Sequence, residues 1–334
     1  MAKITFFEAE EWEKEYLRNS LKGHALQFFD QPLSKKNINK VKDQDIIAVF
    51  IYSKMDKGMI NGLPKLKLIT TMSTGFDHID IEESKKRGIV VCNVPSYGEN
   101  TVAEHTFALI LSISRKIPES LERVKKGDFS LKRLRGFDLK GKTIGIVGCG
   151  NIGQHVARIA KGFEMDVLVF DVNKDQKLAK KIGFRYSSLE NLLKNSDIVT
   201  LHVPDNKSTH HLINKKTLSL LKKDAVLINT SRGGIIDTDA LIKSLSKKKI
   251  RSAGLDVLEG ECLIKEEKQL LNSDFEKVCD LKTVLQDHIL LNNPNVYITP
   301  HNAFNSKEAL NRILDTTVDN INAFLKKKPI NEVV

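Results

Sequence analysis

Short runs of β-branched and apolar residues alternate with charged, amphipathic stretches along almost the whole chain. No other feature limits the possible fold as strongly. In the first third the runs are ITFF (4–7), LQFF (26–29), IIAVFIY (46–52), LKLITTMS (66–73) and IVVCNV (89–94). A long apolar helix pattern (99–117) and a basic irregular stretch (125–142) follow. The alternation then restarts with TIGIVG (143–148), DVLVFD (166–171), DIVTLHV (197–203), AVLINTS (225–231), SAGLDV (252–257) and VYIT (296–299). Strands alternating with helices predict an α/β fold, a parallel sheet covered by helices on both faces. The chain has 334 residues, long for one core, so two such domains are expected, with a boundary near residue 100. Ser187, with Glu190 three residues on, predicts a capping box. The last helix pattern puts Leu310, Ile313, Leu314, Val318, Ile321, Phe324 and Leu325 on one stripe.

Composition narrows the function classes. Lys and Arg number 53 against 42 Asp and Glu, a net charge of +11. The lysines are spread over the chain, and runs such as Lys247–Lys249 and Lys326–Lys328 close helical patterns, where cations suit the helix dipole. No recognition helix or aromatic-plus-basic motif accompanies them, so the charge reads as a solvated surface and no nucleic-acid partner is expected. The longest apolar runs are about a third of a membrane span, and the first residues lack the pattern of a signal peptide. The four cysteines (92, 149, 262 and 279) have neither zinc-ligand nor disulfide-scaffold spacing. A reducing cytoplasm, no membrane and no metal are the expectations.

The segment TIGIVGCGNIGQHVARIA carries Gly148, Gly150 and Gly153 directly after a strand pattern and at the start of a helix pattern. Each glycine then has a use: a tight turn, close approach of the backbone to a pyrophosphate, and close helix–strand contact. A helix N-terminus offers unpaired N–H groups to phosphate. Asp171 ends the second strand 23 positions after Gly148, where an acid accepts the adenosine ribose hydroxyls. That acid favours NAD, although Lys174 nearby softens its repulsion of a 2′-phosphate and keeps NADP open. Cys149 reads as a small residue filling the turn.

In an open α/β sheet, ligands bind beyond the carboxyl ends of the strands. Arg232 follows AVLINTS, Glu261 lies just after SAGLDV, and His301 follows VYITP. Each alone has an ordinary explanation: a loop arginine, a surface glutamate, a capping histidine. Together they are what reduction of a 2-keto acid needs. An arginine holds the carboxylate and polarises the ketone. A histidine protonates the developing alkoxide, and a carboxylate beside it orients the ring and raises its pKa.

The segments GIVGCGNIGQHVA, LHVPDNKSTHHLIN, INTSRGGIIDTDAL, AGLDVLEGE and ITPHNAF resemble, in order and spacing, the motifs of the D-isomer-specific 2-hydroxyacid dehydrogenase family. The resemblance spans essentially the whole chain. Within the family it is greatest to the D-lactate dehydrogenase branch, through NVPSYGENTVAEHTFALIL and HNAF. It implies a flavodoxin-like substrate domain formed by residues 1–100 and 301–334, a Rossmann NAD domain over 101–300, and an active site in the cleft between them. It implies roles as well. Arg232 binds substrate, Glu261 partners the histidine and His301 is the acid/base. Asp256 faces the nicotinamide carboxamide. Asn151, Ile152, Val203, Pro204, Thr209, Thr230 and Ser231 line the cofactor. The N–H groups around Thr74 and Gly75 hold the substrate carboxylate, with Tyr52, Tyr97 and Phe304 near a small side chain. Ser231 and Asn302 depart from the commoner residues of their motifs.

The expected reaction is NADH-dependent reduction of pyruvate to D-lactate, and the resemblance implies a homodimer joined through the cofactor domain. The same chemistry on 2-ketoisocaproate, hydroxypyruvate, glyoxylate or phosphoglycerate, and a dinucleotide-sensing binder without turnover, are the alternatives. His78, His105 and His155 read as structural. His202 and the pair His210–His211 flank cofactor segments.

Overall fold

A computed structural model of the chain describes residues 1–259 and 281–333. Glu261, Cys262 and Cys279 lie outside the described residues.

The chain divides into two compact units, Met1–Tyr97 with Ser306–Val334, and Gly98–Asn305. The first holds strands β1 (Lys3–Phe6), β2 (Ala25–Phe28), β3 (Ile46–Val49), β4 (Leu68–Thr71) and β5 (Val90–Cys92), in the spatial order β2-β1-β3-β4-β5. The second holds β6 (Thr143–Val147), β7 (Asp166–Phe170), β8 (Arg185–Tyr186), β9 (Ile198–Leu201), β10 (Val226–Asn229), β11 (Ser252–Leu255) and β12 (Val296–Ile298), in the order β12-β11-β10-β9-β6-β7-β8. Among the described residues the pairings between these strands are all parallel. The smaller sheet has the flavodoxin-like order and the larger one the Rossmann order extended by a strand.

The strands are short and buried on both sides, because helices cover both faces of each sheet. Side chains alternate between the faces with the two-residue period of a strand. In β9, Val199 and Leu201 enter one core layer, with Leu227 and Leu241, while Ile198 enters the other, with Ile144, Ile146 and Ile228. The smaller unit closes over Ile47, Val49, Met55, Ile60, Ile69 and Val91.

Several local outcomes differ from the sequence expectations. The join expected at 300/301 falls at Asn305/Ser306, so His301 belongs to the larger unit. The reason is a buried carboxylate: Asp256 takes the backbone N–H groups of Asn302 and Ala303 and fastens that loop to β11. Ser306 then caps the helix Lys307–Leu325 through the N–H of Ala309, and this helix packs on β4. Its buried residues include Ile313, Leu314, Val318 and Ile321 from the expected stripe. The pattern over 99–117 is a helix Glu99–Arg115 and a second helix Ile117–Lys125, separated by left-handed Lys116. The cap expected at Ser187 is Ser188, which accepts the Asn191 N–H. β8 has only two residues, too few to show a pattern in the sequence.

Candidate active site

In the larger unit six strands end on one row. Phe170, Val147, Leu201, Asn229, Leu255 and Ile298 are paired neighbour to neighbour across the sheet. From β6 the chain winds outward to β7 and β8, and from β9 it winds the other way to β12. The reversal between β6 and β9 is the switch point where such sheets bind ligands.

The glycine loop opens at this point. Gly148 has φ +94°, and its N–H donates to the Phe170 carbonyl at 2.8 Å. A Cβ there would lie 2.4 Å from the His202 carbonyl oxygen, so only glycine fits the turn. A Cβ on Gly153 would lie 2.2 Å from the Gly148 carbonyl oxygen, which lets the helix Asn151–Gly162 start against the turn. Gly150 caps that helix and faces open space. The loop thus fits a pyrophosphate at a helix N-terminus. Asp171 accepts the Cys149 N–H at 2.6 Å and the Asn173 N–H at 2.8 Å, so the acid shapes the loop. Each carboxylate oxygen can accept a further donor, which leaves room for ribose hydroxyls. Burial pushes the Cys149 thiol up to about 11, which keeps it protonated and unreactive.

At the end of β9, Val203 packs beside Gly148, and the Thr209 hydroxyl, which accepts the Asn206 N–H and bonds the Pro204 carbonyl, closes the loop between them. The Thr230 hydroxyl pairs with Thr106 at 3.0 Å, and the Ser231 hydroxyl donates to the Leu201 carbonyl at 2.6 Å. These side chains, expected to line the cofactor, are engaged in building its surroundings. Asn151 is exposed and Ile152 half-buried at the start of the helix.

Arg232 lies three residues past the end of β10. Asn229, fully buried, donates its side-chain N–H to the Arg232 carbonyl at 2.9 Å and accepts the Ser231 N–H at 3.0 Å. The backbone under the arginine is therefore fixed. The guanidinium is exposed, and among the described residues its hydrogen bond is to the Ser231 carbonyl, at 2.9 Å. Most of its five N–H groups are available for an anion.

Asp256, one residue past β11, is fully buried. Its carboxylate accepts from the Thr299 hydroxyl at 2.5 Å, the Asn302 N–H at 3.0 Å and the Ala303 N–H at 2.9 Å, with His105 Nε2 at 3.4 Å. Both oxygens are thus committed to the loop that carries His301. His301 itself lies three residues past β12, half-buried, with φ +53° and its N–H on the Thr299 carbonyl at 2.9 Å. A left-handed histidine persists only where its surroundings hold it, and the Asp256 network does that. We expect Asp256→Ala to cost about 3 kcal/mol or more in urea unfolding, since it orphans buried donors, and Asp256→Asn to cost less. Equal stability of Asp256→Ala and the parent chain would contradict this role.

Arg232 and His301 therefore stand on the strands that flank β11, each three residues beyond the common row. With a strand spacing of about 4.8 Å, those strands are about 10 Å apart, which suits two groups acting on opposite ends of a small keto acid. The other histidines are differently placed. Burial holds His202 down to about 3 and His78 down to about 4, so both stay neutral, each bonded to a threonine hydroxyl.

In the smaller unit, Thr74 and Gly75 follow β4. The Asn93 side chain donates to the Thr74 carbonyl at 2.8 Å, and the Thr74 hydroxyl donates to the Val94 carbonyl at 2.8 Å. Among the described residues none accepts the backbone N–H of Thr74 or Gly75. Tyr52, 42% exposed, follows β3 with its ring edge-on to Phe50. Glu8 holds that loop, accepting the N–H groups of Phe50 and Tyr52 and the Ser53 hydroxyl. Burial pushes the Glu8 carboxyl up to about 7 against those three donors. Tyr97 is half-buried, and its carbonyl accepts from Arg312 Nε at 2.5 Å. Phe304, half-buried, lies in the larger unit. Asn229, Thr299 and Glu8 are the supporting residues that the sequence reading missed. The one available signal was a polar residue at or just past the end of an apolar run.

Residues 107–303 match the model of the D-isomer specific 2-hydroxyacid dehydrogenase, NAD binding domain. The chain belongs to the D-isomer-specific 2-hydroxyacid dehydrogenase family. It is accordingly an oxidoreductase with a dinucleotide-binding unit. This dehydrogenase is similar to the D-lactate dehydrogenase of Aquifex aeolicus solved with NAD and lactic acid, with 38% identity, a TM-score of 0.85, and 97% of this chain and 96% of that one covered. It is 38% identical to a glyoxylate reductase of Thermococcus litoralis over 86% of its own length and 83% of the relative's. An acyclic imino acid reductase, Bsp5, solved with NADPH and D-Arg, is 32% identical with a TM-score of 0.79 over 99% of this chain and all of that one. No described helix of this dehydrogenase is long and apolar enough to cross a membrane.

Proposed function

We propose that this dehydrogenase reduces pyruvate to D-lactate with NADH, His301 giving the proton. The observation that carries the reading is the placement of Arg232 and His301 on strands flanking β11, at the carboxyl edge that also bears the glycine loop. NADH supplies the hydride when bound. Arg232 forks onto the substrate carboxylate and polarises the ketone oxygen. His301 gives that oxygen its proton as the alkoxide forms. Phe304, on the loop that carries His301, forms an apolar wall near the methyl group. The D-lactate dehydrogenase relative solved with lactic acid supports a small side chain.

A second reading, glyoxylate or hydroxypyruvate as substrate, is favoured by the similarity to a glyoxylate reductase. One methylene discriminates by only about 10–200-fold, so both substrates can turn over. Steady-state rates with pyruvate, 2-ketobutyrate, phenylpyruvate, glyoxylate and hydroxypyruvate test this. The highest kcat/KM with pyruvate is expected. No NADH oxidation with any of the five overturns the enzyme reading and leaves the dinucleotide-sensing binder.

NAD is the proposed cofactor because Asp171 repels a 2′-phosphate. NADH should exceed NADPH in kcat/KM by about 100-fold, and Asp171→Ser should narrow that gap by about 10-fold or more. An unchanged ratio in Asp171→Ser would remove Asp171 from the cofactor site. The protein is proposed to act as a homodimer through its cofactor unit. There Leu121, Val124, Phe129 and Leu131 expose apolar side chains on and after the helix Ile117–Lys125. Cys92 and Cys149 are buried free thiols, which suits a reducing cytoplasm.

A further inference from the structure

The loops after β9 and β11 bring together a group of side chains that substrate reduction does not use. His210, His211 and Glu259 each place one ligand atom within 4.8 Å of the others. The two imidazole rings stack with centroids 4.1 Å apart and planes 19° from parallel. His211 Nε2 lies 2.6 Å from Glu259 Oε1, and His210 Nδ1 lies 3.2 Å from Asp205 Oδ1. An ion pair between His211 and Glu259 accounts for one of these contacts only. It explains neither the second histidine, stacked where two positive rings would repel, nor the carboxylate behind it.

We propose that His210, His211 and Glu259 form a site for a zinc-type divalent cation, with Asp205 orienting His210 from behind. Two imidazoles and a carboxylate are the donor set of Zn²⁺ rather than of Mg²⁺ or Ca²⁺, which take oxygen ligands. Asp205 on Nδ1 leaves Nε2 of His210 for the ion, the carboxylate–histidine–metal arrangement of metal sites. Three protein ligands leave a fourth position for water. An ion with bonds of about 2.0–2.1 Å would set its ligand atoms about 3.3 Å apart, so His211 Nε2 and Glu259 Oε1, now 2.6 Å apart, would separate by about 0.7 Å while the farther ligand atom drew in.

The site is built rather than accidental. His211 is held left-handed, φ +49°, by its N–H on the Gly234 carbonyl at 2.8 Å and by the Asn214 side chain on its own carbonyl at 2.9 Å. A Cβ on Gly234 would lie 2.2 Å from Asp205 Oδ2 and 3.1 Å from His210 Nδ1, so glycine keeps this space clear. Glu259 is fixed from its other side by the Thr238 hydroxyl at 2.7 Å. Partial burial works against its charge, yet the His211 and Thr238 hydrogen bonds hold its carboxyl below the usual range. The inference is independent of which keto acid is reduced.

The test is titration of the chelator-stripped full chain with Zn²⁺ against a chromophoric chelator, and with Co²⁺ for its visible absorption. We expect one equivalent bound with Kd of about 10 µM or tighter, and a four-coordinate Co²⁺ spectrum. His210→Ala, at an exposed position, should abolish binding, and Asp205→Asn should weaken it by about 10–100-fold. Zn²⁺ should raise the Tm of the parent chain but not of His210→Ala. Failure to bind an equivalent below about 100 µM, or binding unchanged in His210→Ala, overturns the proposal and leaves a plain His211–Glu259 ion pair.

Discussion

Alanine in place of His301 is expected to lower kcat for pyruvate reduction by about 10²–10⁴-fold, while leaving KM within a few-fold. His301 sits three residues past β12 on a loop tied by Asn302 and Ala303 to the buried Asp256 carboxylate. That tie fixes the backbone so the imidazole meets a bound ketone in one place, and general acid catalysis depends on such placement. Because the tie uses main-chain N–H groups, removing the imidazole leaves it intact. The variant should therefore fold and bind NADH like the parent. Steady-state kinetics with a cofactor-binding titration separate the cases. A His301→Ala protein with parental kcat would show that the proton comes from elsewhere, and one that no longer binds NADH would show a structural role.

Arg232→Ala should cost about 10²–10³-fold in kcat/KM, or about 3–4 kcal/mol, with both KM raised and kcat lowered. The split follows from two tasks. Holding the carboxylate acts on substrate and transition state alike and appears in KM. Polarising the ketone oxygen grows as charge develops and appears in kcat. Arg232→Lys keeps the charge but loses the planar fork, so it should recover only part of the activity. Stability should change little, because the exposed guanidinium bonds only the neighbouring Ser231 carbonyl among the described residues. A normal KM in Arg232→Ala would place the substrate carboxylate on other groups.

The strands and the glycine loop were legible in the sequence because each follows from a local rule. A parallel strand buried on both faces reads as an apolar run, and Gly148 and Gly153 mark a turn at a strand end that other residues cannot make. Arg232 and His301 stood out because they follow such runs directly. Boundaries were less legible. The join falls after residue 305 rather than 300 because Asp256, more than forty positions away in sequence, holds Asn302 and Ala303. The break at Lys116 has its sequence mark two residues later, in Pro118 at the first turn of the next helix, while the left-handed turn itself falls on a lysine. The supporting residues were hidden for the same reason. Asn229 and Glu8 act through backbone groups, and their partners appear only once strands are neighbours. The histidine–glutamate cluster joins residues nearly fifty positions apart, which no ligand spacing announces.

The central claim is hydride addition to one face of a small keto acid, with Arg232 and His301 fixing the orientation. Its most direct measurement is the configuration of the lactate that the purified protein makes from pyruvate and NADH, read by chiral chromatography. D-lactate in amounts equal to the NADH consumed is the expected result. L-lactate, a racemate, or NADH consumption without lactate would contradict the account.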